Sequence, residues 1–281
     1  MLENVCKAFH AQGKKVVVIL NVGGVIETAT WKNLPDAILL AWQAGQEGGN
    51  SVSDILSGKI SPSGKLTMSF PLRYEDVPSY ENFPKDGKTG NLELTAHGKR
   101  KSELKNWDYT NYEEDIFVGY RYYDTFHKEV SYPFGYGLSY TTFKYSNPQI
   151  TENNGVYTVT VDITNTGSFE GKEVVQLYVS APKSNNMAKP EKELKDFAKT
   201  QTLKPGEKTT ITLNVLANNL ASYDENTHSW IVEAGQYQFK LGASSKDIKA
   251  SLNIDIQKSE QKVHDILKPQ VKLNYLGRNL D

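Results

Sequence analysis

The 281-residue chain is 38% hydrophobic and 23% charged, with a net charge of −1 at pH 7. Its length suits two ordinary domains, and the near-zero charge excludes a global basic field for nucleic acid or an anionic membrane. No apolar run approaches the roughly 18–20 residues of a bilayer span, so no membrane partner is expected. The lone Cys6 excludes an intrachain disulfide and a cysteine-based metal site. The five histidines (His10, His97, His127, His228, His264) are too scattered for a helical metal-binding pair, and no metal or other cofactor is expected.

In chain order, the first residues lack both a basic start and an apolar stretch, so no signal peptide is expected there, and the compartment, cytoplasm or periplasm, stays open. Residues 2–12 have a helical pattern ended by Gly13. Residues 15–21 hold Val-Val-Val-Ile-Leu, apolar at every position, as a strand covered on both faces should be. Residues 37–42 repeat this. Gly45-Gln46-Glu47-Gly48-Gly49 turns the chain into a helix over 50–57 closed by Gly58, and a further strand is expected over 65–70. Strand, glycine loop and helix are the grammar of a parallel α/β sheet. The glycine loop lacks the Lys-Ser/Thr ending of a phosphate loop, so no nucleotide site is expected. Two or three strands are few for such a domain, so the chain reads as beginning inside one.

Residues 71–106 are rich in proline, glycine and charge. Within them the basic stretch 85–105 (Lys85, Lys88, Lys99, Arg100, Lys101, Lys105) reads as a solvated loop rather than a polyanion site. Residues 118–143 mix tyrosines and phenylalanines with Gly119, Gly135 and Gly137, a composition that reads as neither a helix nor an ordinary strand but as a packed connector. Beyond 150 the pattern alternates. Short strands are expected over 156–163, 173–179, 192–197, 208–215, 229–232, 236–241 and 248–256, the spacing of a β-sandwich. Residues 257–281 read as a polar tail. The domain reading is therefore a partial α/β domain over 1–70, linker and connector over 71–145, a sandwich over 146–256, and the tail.

Several motifs occur together in the order of one family. Residues 16–23 (Val-Val-Val-Ile-Leu-Asn-Val-Gly) with Glu27, residues 38–49 ending in Ala-Gly-Gln-Glu-Gly-Gly, and residues 58–66 (Gly-Lys-Ile-Ser-Pro-Ser-Gly-Lys-Leu) are similar to the α/β sandwich domain of family 3 glycoside hydrolases. Residues 112–115 and 133–140 (Pro-Phe-Gly-Tyr-Gly-Leu-Ser-Tyr) resemble the connector to that family's fibronectin type III-like domain, and residues 192–197, 203–207 and 242–245 resemble that domain itself. The resemblance implies an immunoglobulin/fibronectin-like sandwich after a truncated parallel α/β domain. It also implies a retaining β-glycosidase, most simply a β-glucosidase, acting on β-linked oligosaccharides or glycosides. It places the nucleophilic aspartate on an N-terminal (β/α)₈ barrel, supplied in cis or as a separate chain, and the acid/base glutamate upstream of Lys15. This chain alone is then expected to be inactive.

A retaining glycosidase needs two carboxyl groups about 5–5.5 Å apart. Glu27, after a strand end, is the one residue here weighed for catalysis, with hydrogen bonding as its expected role. Glu47 is expected to cap a helix N-terminus. Glu113, Glu114 and Asp115, with Arg121 and Asp124, suit an Arg–carboxylate lock of an interdomain joint. The alternative is that this loop edges the sugar site, with Trp107 or Tyr112 stacking on a sugar. The competing function is a non-catalytic carbohydrate-binding or adhesion module on the sandwich, for which Trp230 is the one tryptophan of exposed type.

Overall fold

The computed structural model describes residues 1–80, 112–184 and 187–264. Helix α1 (Leu2–His10) points Cys6 inward and ends beside Asp36. Asp36 accepts from Lys15 Nζ at 2.7 Å and from the Val16 amide at 2.9 Å, and its Oδ2 lies 2.9 Å from His10 Nε2. Those contacts, Lys15 foremost, hold its carboxyl well below the usual carboxylate range. They tie α1 to the sheet formed by β1 (Val17–Leu20) and β2 (Ala37–Leu40), which pair in parallel. Helix α2 (Gly48–Leu56) begins two residues earlier than its sequence pattern and is followed by Gly58 at φ +76°.

Two expectations for this region fail. The apolar strand β1 is not covered on both faces: Val17 and Ile19, which share one face, are 44% and 43% exposed. The strand expected over 65–70 shrinks to β3 (Phe70–Pro71). Leu66 instead donates to Tyr136 O and accepts from the Gly135 amide, both at 2.8 Å. Its ladder groups go to the connector rather than to a third parallel strand.

The connector also departs from its sequence reading. It contains a short helix, α3 (Tyr120–Thr125), and a strand, β4 (Val130–Tyr132), antiparallel to β3. After it comes a strand that the alternation missed, β5 (Phe143–Asn153). Pro148 obscures it. A proline is tolerated there because β5 lies at a sheet edge, and the register shifts between Ser146 and Gln149.

The sandwich follows the expected alternation. β6 (Val156–Asn165), β7 (Val174–Ser180), β8 (Glu193–Lys199) and β9 (Lys208–Leu216) are followed by β10 (Ser222–Asp224), β11 (Ser229–Val232), β12 (Gly235–Gly242) and β13 (Ile248–Ile256). One sheet runs β5-β6-β9 and the other β13-β12-β7-β8, all antiparallel. Every second residue of β6 (Tyr157, Val159, Val161, Ile163) meets Val175, Leu177 and Val179 of β7 and Tyr237, Phe239 and Leu241 of β12 in one buried core. The expected tail is partly structured: β14 (Ser259–Lys262) pairs with β11 in a third sheet, β10-β11-β14. It has no apolar face to signal it, since all four residues are exposed. The basic stretch 85–105 lies outside the described residues.

Candidate functional site

β7 is buried on both faces, and the reason locates the site. Val175, Leu177 and Val179 face the sandwich core, while Gln176 and Tyr178 lie under the connector. Gln176 Nε2 donates to Gly135 O at 3.1 Å and to Ala243 O at 2.9 Å, and its Oε1 accepts from Tyr178 OH at 2.5 Å. A buried amide satisfied this way fixes register as an apolar side chain would not. Gly135 is required: its φ is +80°, and a Cβ there would lie 2.0 Å from Gln176 Oε1. Burial pushes the Tyr178 phenol far above its ordinary pKa, so it remains a hydrogen-bond donor.

Helix α3 completes the joint. Tyr120 stacks on Phe134 at 4.6 Å, meets Tyr178 edge-on at 6.0 Å, and accepts from the Leu194 amide at 2.7 Å through its hydroxyl. Thr125 Oγ1 accepts from the Glu191 amide at 2.9 Å. Asp124 is 1% exposed. Lys192 Nζ lies 2.9 Å from its Oδ2 and Lys246 Nζ 2.9 Å from its Oδ1. The ionic lock read from the sequence therefore exists with different partners. Two lysines of the sandwich, not an arginine, neutralise Asp124. Arg121 reaches Glu193 at 3.8 Å and donates to Ile116 O at 3.4 Å. Lys192 and Glu193 belong to a motif the sequence had singled out; besides their neighbours Glu191 and Lys195 they pair with Asp124 and Arg121 on α3, far away along the chain.

A second cluster ties residues 58–66 to both neighbours. Lys65 Nζ donates to Gly137 O at 3.1 Å and pairs with Glu173 at 3.0 Å, the two side chains being mostly buried. Ser61 Oγ lies 2.9 Å from Ser139 Oγ and accepts from the Tyr140 amide at 3.1 Å, and Tyr140 OH donates to Ile55 O at 2.8 Å. Lys65, Gly137 and Glu173 thus join the α/β region, the connector and the sandwich at one point.

Of the remaining candidates, Glu27 and Glu47 are held by their sequence neighbours. Both carboxylate oxygens of Glu27 are engaged by Thr30, through its amide and its hydroxyl, at 2.8 Å each, and Glu27 O accepts from Trp31 Nε1. Its side chain organises a local turn. Glu47 occupies the N-cap position of α2, but its side chain caps no backbone amide and instead accepts from Asn50 Nδ2. Tyr112 is 78% exposed, Glu114 is buried, and Asp115 holds φ +53°. Trp107 lies outside the described residues. One residue that sequence reasoning passed over is Trp42. It follows β2 with φ +53°, unusual for a bulky side chain, and packs against Phe70 at 6.2 Å. Among the described residues no cluster of histidine, cysteine and carboxylate side chains could hold a metal ion, and no helix is long and apolar enough to cross a membrane.

The architecture is that of a modular protein: a parallel α/β unit clamped through an aromatic connector to a fibronectin-like sandwich. Residues 2–140 match the model of the glycosyl hydrolase family 3 C-terminal domain, and residues 173–245 that of the fibronectin type III-like domain. The chain belongs to family 3 of the glycoside hydrolases and corresponds to the C-terminal part of its members. It is 39% identical over 259 residues to β-glucosidase A of Butyrivibrio fibrisolvens, covering 83% of this chain and 29% of that protein. It is also 39% identical over 249 residues to an exo-α-(1→6)-L-arabinopyranosidase of Bifidobacterium breve, covering 88% of this chain and 30% of that one. The structure of β-glucosidase 3B from Thermotoga neapolitana in complex with glucose superposes with a TM-score of 0.82 at 45% identity, covering 93% of this chain and 34% of that chain. The chain therefore spans about a third or less of the length of these relatives.

Proposed function

We propose that this chain supplies the C-terminal α/β and fibronectin-like parts of a retaining β-glycosidase, specifically a β-glucosidase releasing terminal β-linked sugars from oligosaccharides or glycosides. The observation that carries the reading is the 45% identity over 93% of the chain to a β-glucosidase solved with glucose. The nucleophile and the acid/base belong to a barrel-bearing polypeptide upstream, in cis or as a separate chain. Within this division the joint is a positioning device. It fixes the loop carrying Tyr112 and Glu114 by clamping α3 to the sandwich through Asp124, Arg121 and Tyr120. Tyr112, 78% exposed, is assigned to the edge of the sugar site on its exposure and its family-like position, and Trp107 on its residue type alone. Glu27 and Glu47 act locally, in a turn and at a helix start.

The test is hydrolysis of an aryl β-glucoside. This chain alone should show no turnover, while co-expression with a barrel-bearing family 3 polypeptide should restore it. Turnover by the chain alone, at rates ordinary for a glycosidase, would overturn the placement of both carboxyl groups upstream.

A further inference from the structure

We infer that the sandwich carries a second, non-catalytic saccharide site, an aromatic notch of Trp230 and Tyr223 that takes a single soluble β-linked glucan chain. The choice of a β-linked glucan rests on the proposed glycosidase function; the notch itself rests on the third sheet. There the register sets Tyr223 opposite Trp230 and Trp230 opposite Gln261, so the three side chains form one row across β10, β11 and β14. The neighbours of Trp230 along β11, Ser229 and Ile231, are 0% and 8% exposed, so they point into the body and Trp230 points out, 46% exposed. The two rings lie 5.4 Å apart and tilted by 55°. His228 Nδ1 is 3.4 Å from Tyr223 OH at one rim, and Gln261 is exposed at the other.

The notch is rigid from behind. Ser229 Oγ donates to Glu260 at 3.0 Å, Asp224 accepts from the Asn226 amide and Thr227 Oγ1, and the Val263 amide donates to His228 O at 2.9 Å. The backing is thus fixed before binding, which lowers the entropic cost to that of the exposed Gln261 side chain.

Size and surroundings select the occupant. A protein interface needs about 800 Å² per partner. Two aromatic rings provide at most about 150–250 Å² each, and here they are framed by the exposed polar strand β14 rather than by more apolar surface. A pyranose matches that frame. Its axial C–H face covers one ring, and its equatorial hydroxyls reach outward to an amide and an imidazole. β-Linked glucose presents such faces on successive residues. The 55° tilt is wrong for a flat crystalline surface and suits a twisted single chain.

The experiment titrates the full 281-residue chain with cellohexaose, laminarihexaose and maltohexaose, following tryptophan fluorescence and heat. Saturable binding of a β-linked hexaose is expected. Trp230→Ala should weaken it about tenfold or more, the scale of a lost stacking partner, and Tyr223→Ala and Gln261→Ala should weaken it less. All three variants should stay folded, with melting temperatures within about 5 °C of the parent. Undiminished binding by Trp230→Ala, or no binding of any hexaose, would overturn the site. Binding of maltohexaose alone would overturn the β-glucan assignment. If a barrel-bearing polypeptide shields Trp230 from acrylamide quenching, protein covers the notch and the saccharide proposal fails. Hydrolysis of an aryl β-glucoside by the reconstituted enzyme is scored separately. Its absence would sink the proposed function and leave the binding result standing, and Trp230→Ala should not change its rate.

Discussion

The sandwich and the α/β region bury their apolar residues to very different extents. In the sandwich, Val159, Ile163, Leu177, Leu213, Phe239 and Leu241 are at most 1% exposed and belong to one core. In the α/β region, a strand of wholly apolar sequence leaves Val17 and Ile19 nearly half exposed, and Val5 and Phe9 of α1 are 40% and 46% exposed. Parallel sheets are stable when covered on both faces. The sandwich carries its own core, while the described α/β strands and helix leave large apolar side chains exposed. The connector couples these two unequally buried regions.

The largest expected effect comes from removing volume where the core is dense. Phe239→Ala should cost about 3–5 kcal/mol in urea denaturation. A loss below about 1 kcal/mol would mean that the sandwich core is looser than its burial implies. Next comes the joint: Asp124→Ala leaves the buried ammonium of Lys192 with Glu191 as its remaining carboxylate partner, at 3.1 Å, and should cost about 1–3 kcal/mol. It should also expose the α3 amides to hydrogen exchange while leaving β6 and β12 protected. Gly135→Ala, which forces a Cβ against Gln176 at positive φ, should cost about 2 kcal/mol, with thermal melting as the readout.

A smaller effect concerns acid. Hydrogen bonds from Thr210, then Asn147 and Lys208, lower the Asp162 carboxyl from 3.8 to about 2. A carboxyl lowered on folding contributes stability that is full above its unfolded pKa and is lost as pH falls through the folded one. Stability should therefore decline between about pH 4 and 2 in part through Asp162, and Asp162→Asn should flatten that decline. The smallest effect belongs to the uncovered strand, where Ile19→Ala should change stability by less than about 1 kcal/mol in this chain.

Legibility in the sequence followed the same divide. Strands β6, β9, β12 and β13 were legible because alternation reports burial directly, and α2 because Gly58 closes it. β14 was not, because an edge strand of four exposed polar residues is held by backbone pairing that no side-chain pattern records. α3 was hidden because a six-residue helix of aromatic residues depends on contacts at Leu194 and Lys192 rather than on its own propensity. The joint was half legible. Arg121 and Asp124 could be read as an ionic lock, but Lys192, Lys246 and Glu193 become partners through the tertiary fold alone. Motif 58–66 could be recognised without its purpose, which is the contact of Lys65 with Gly137 and Glu173.

Hydrogen exchange of the chain, alone and with a barrel-bearing family 3 polypeptide, tests most directly the proposal that such a polypeptide covers the exposed apolar face of the α/β region while the sandwich holds itself. Alone, amides of β6, β7 and β12 should exchange only through global unfolding, while those of β1 and β2 exchange much faster. Adding the polypeptide should slow β1 and β2 and leave the sandwich unchanged. Equal protection of β1 and the sandwich in the isolated chain would contradict the account.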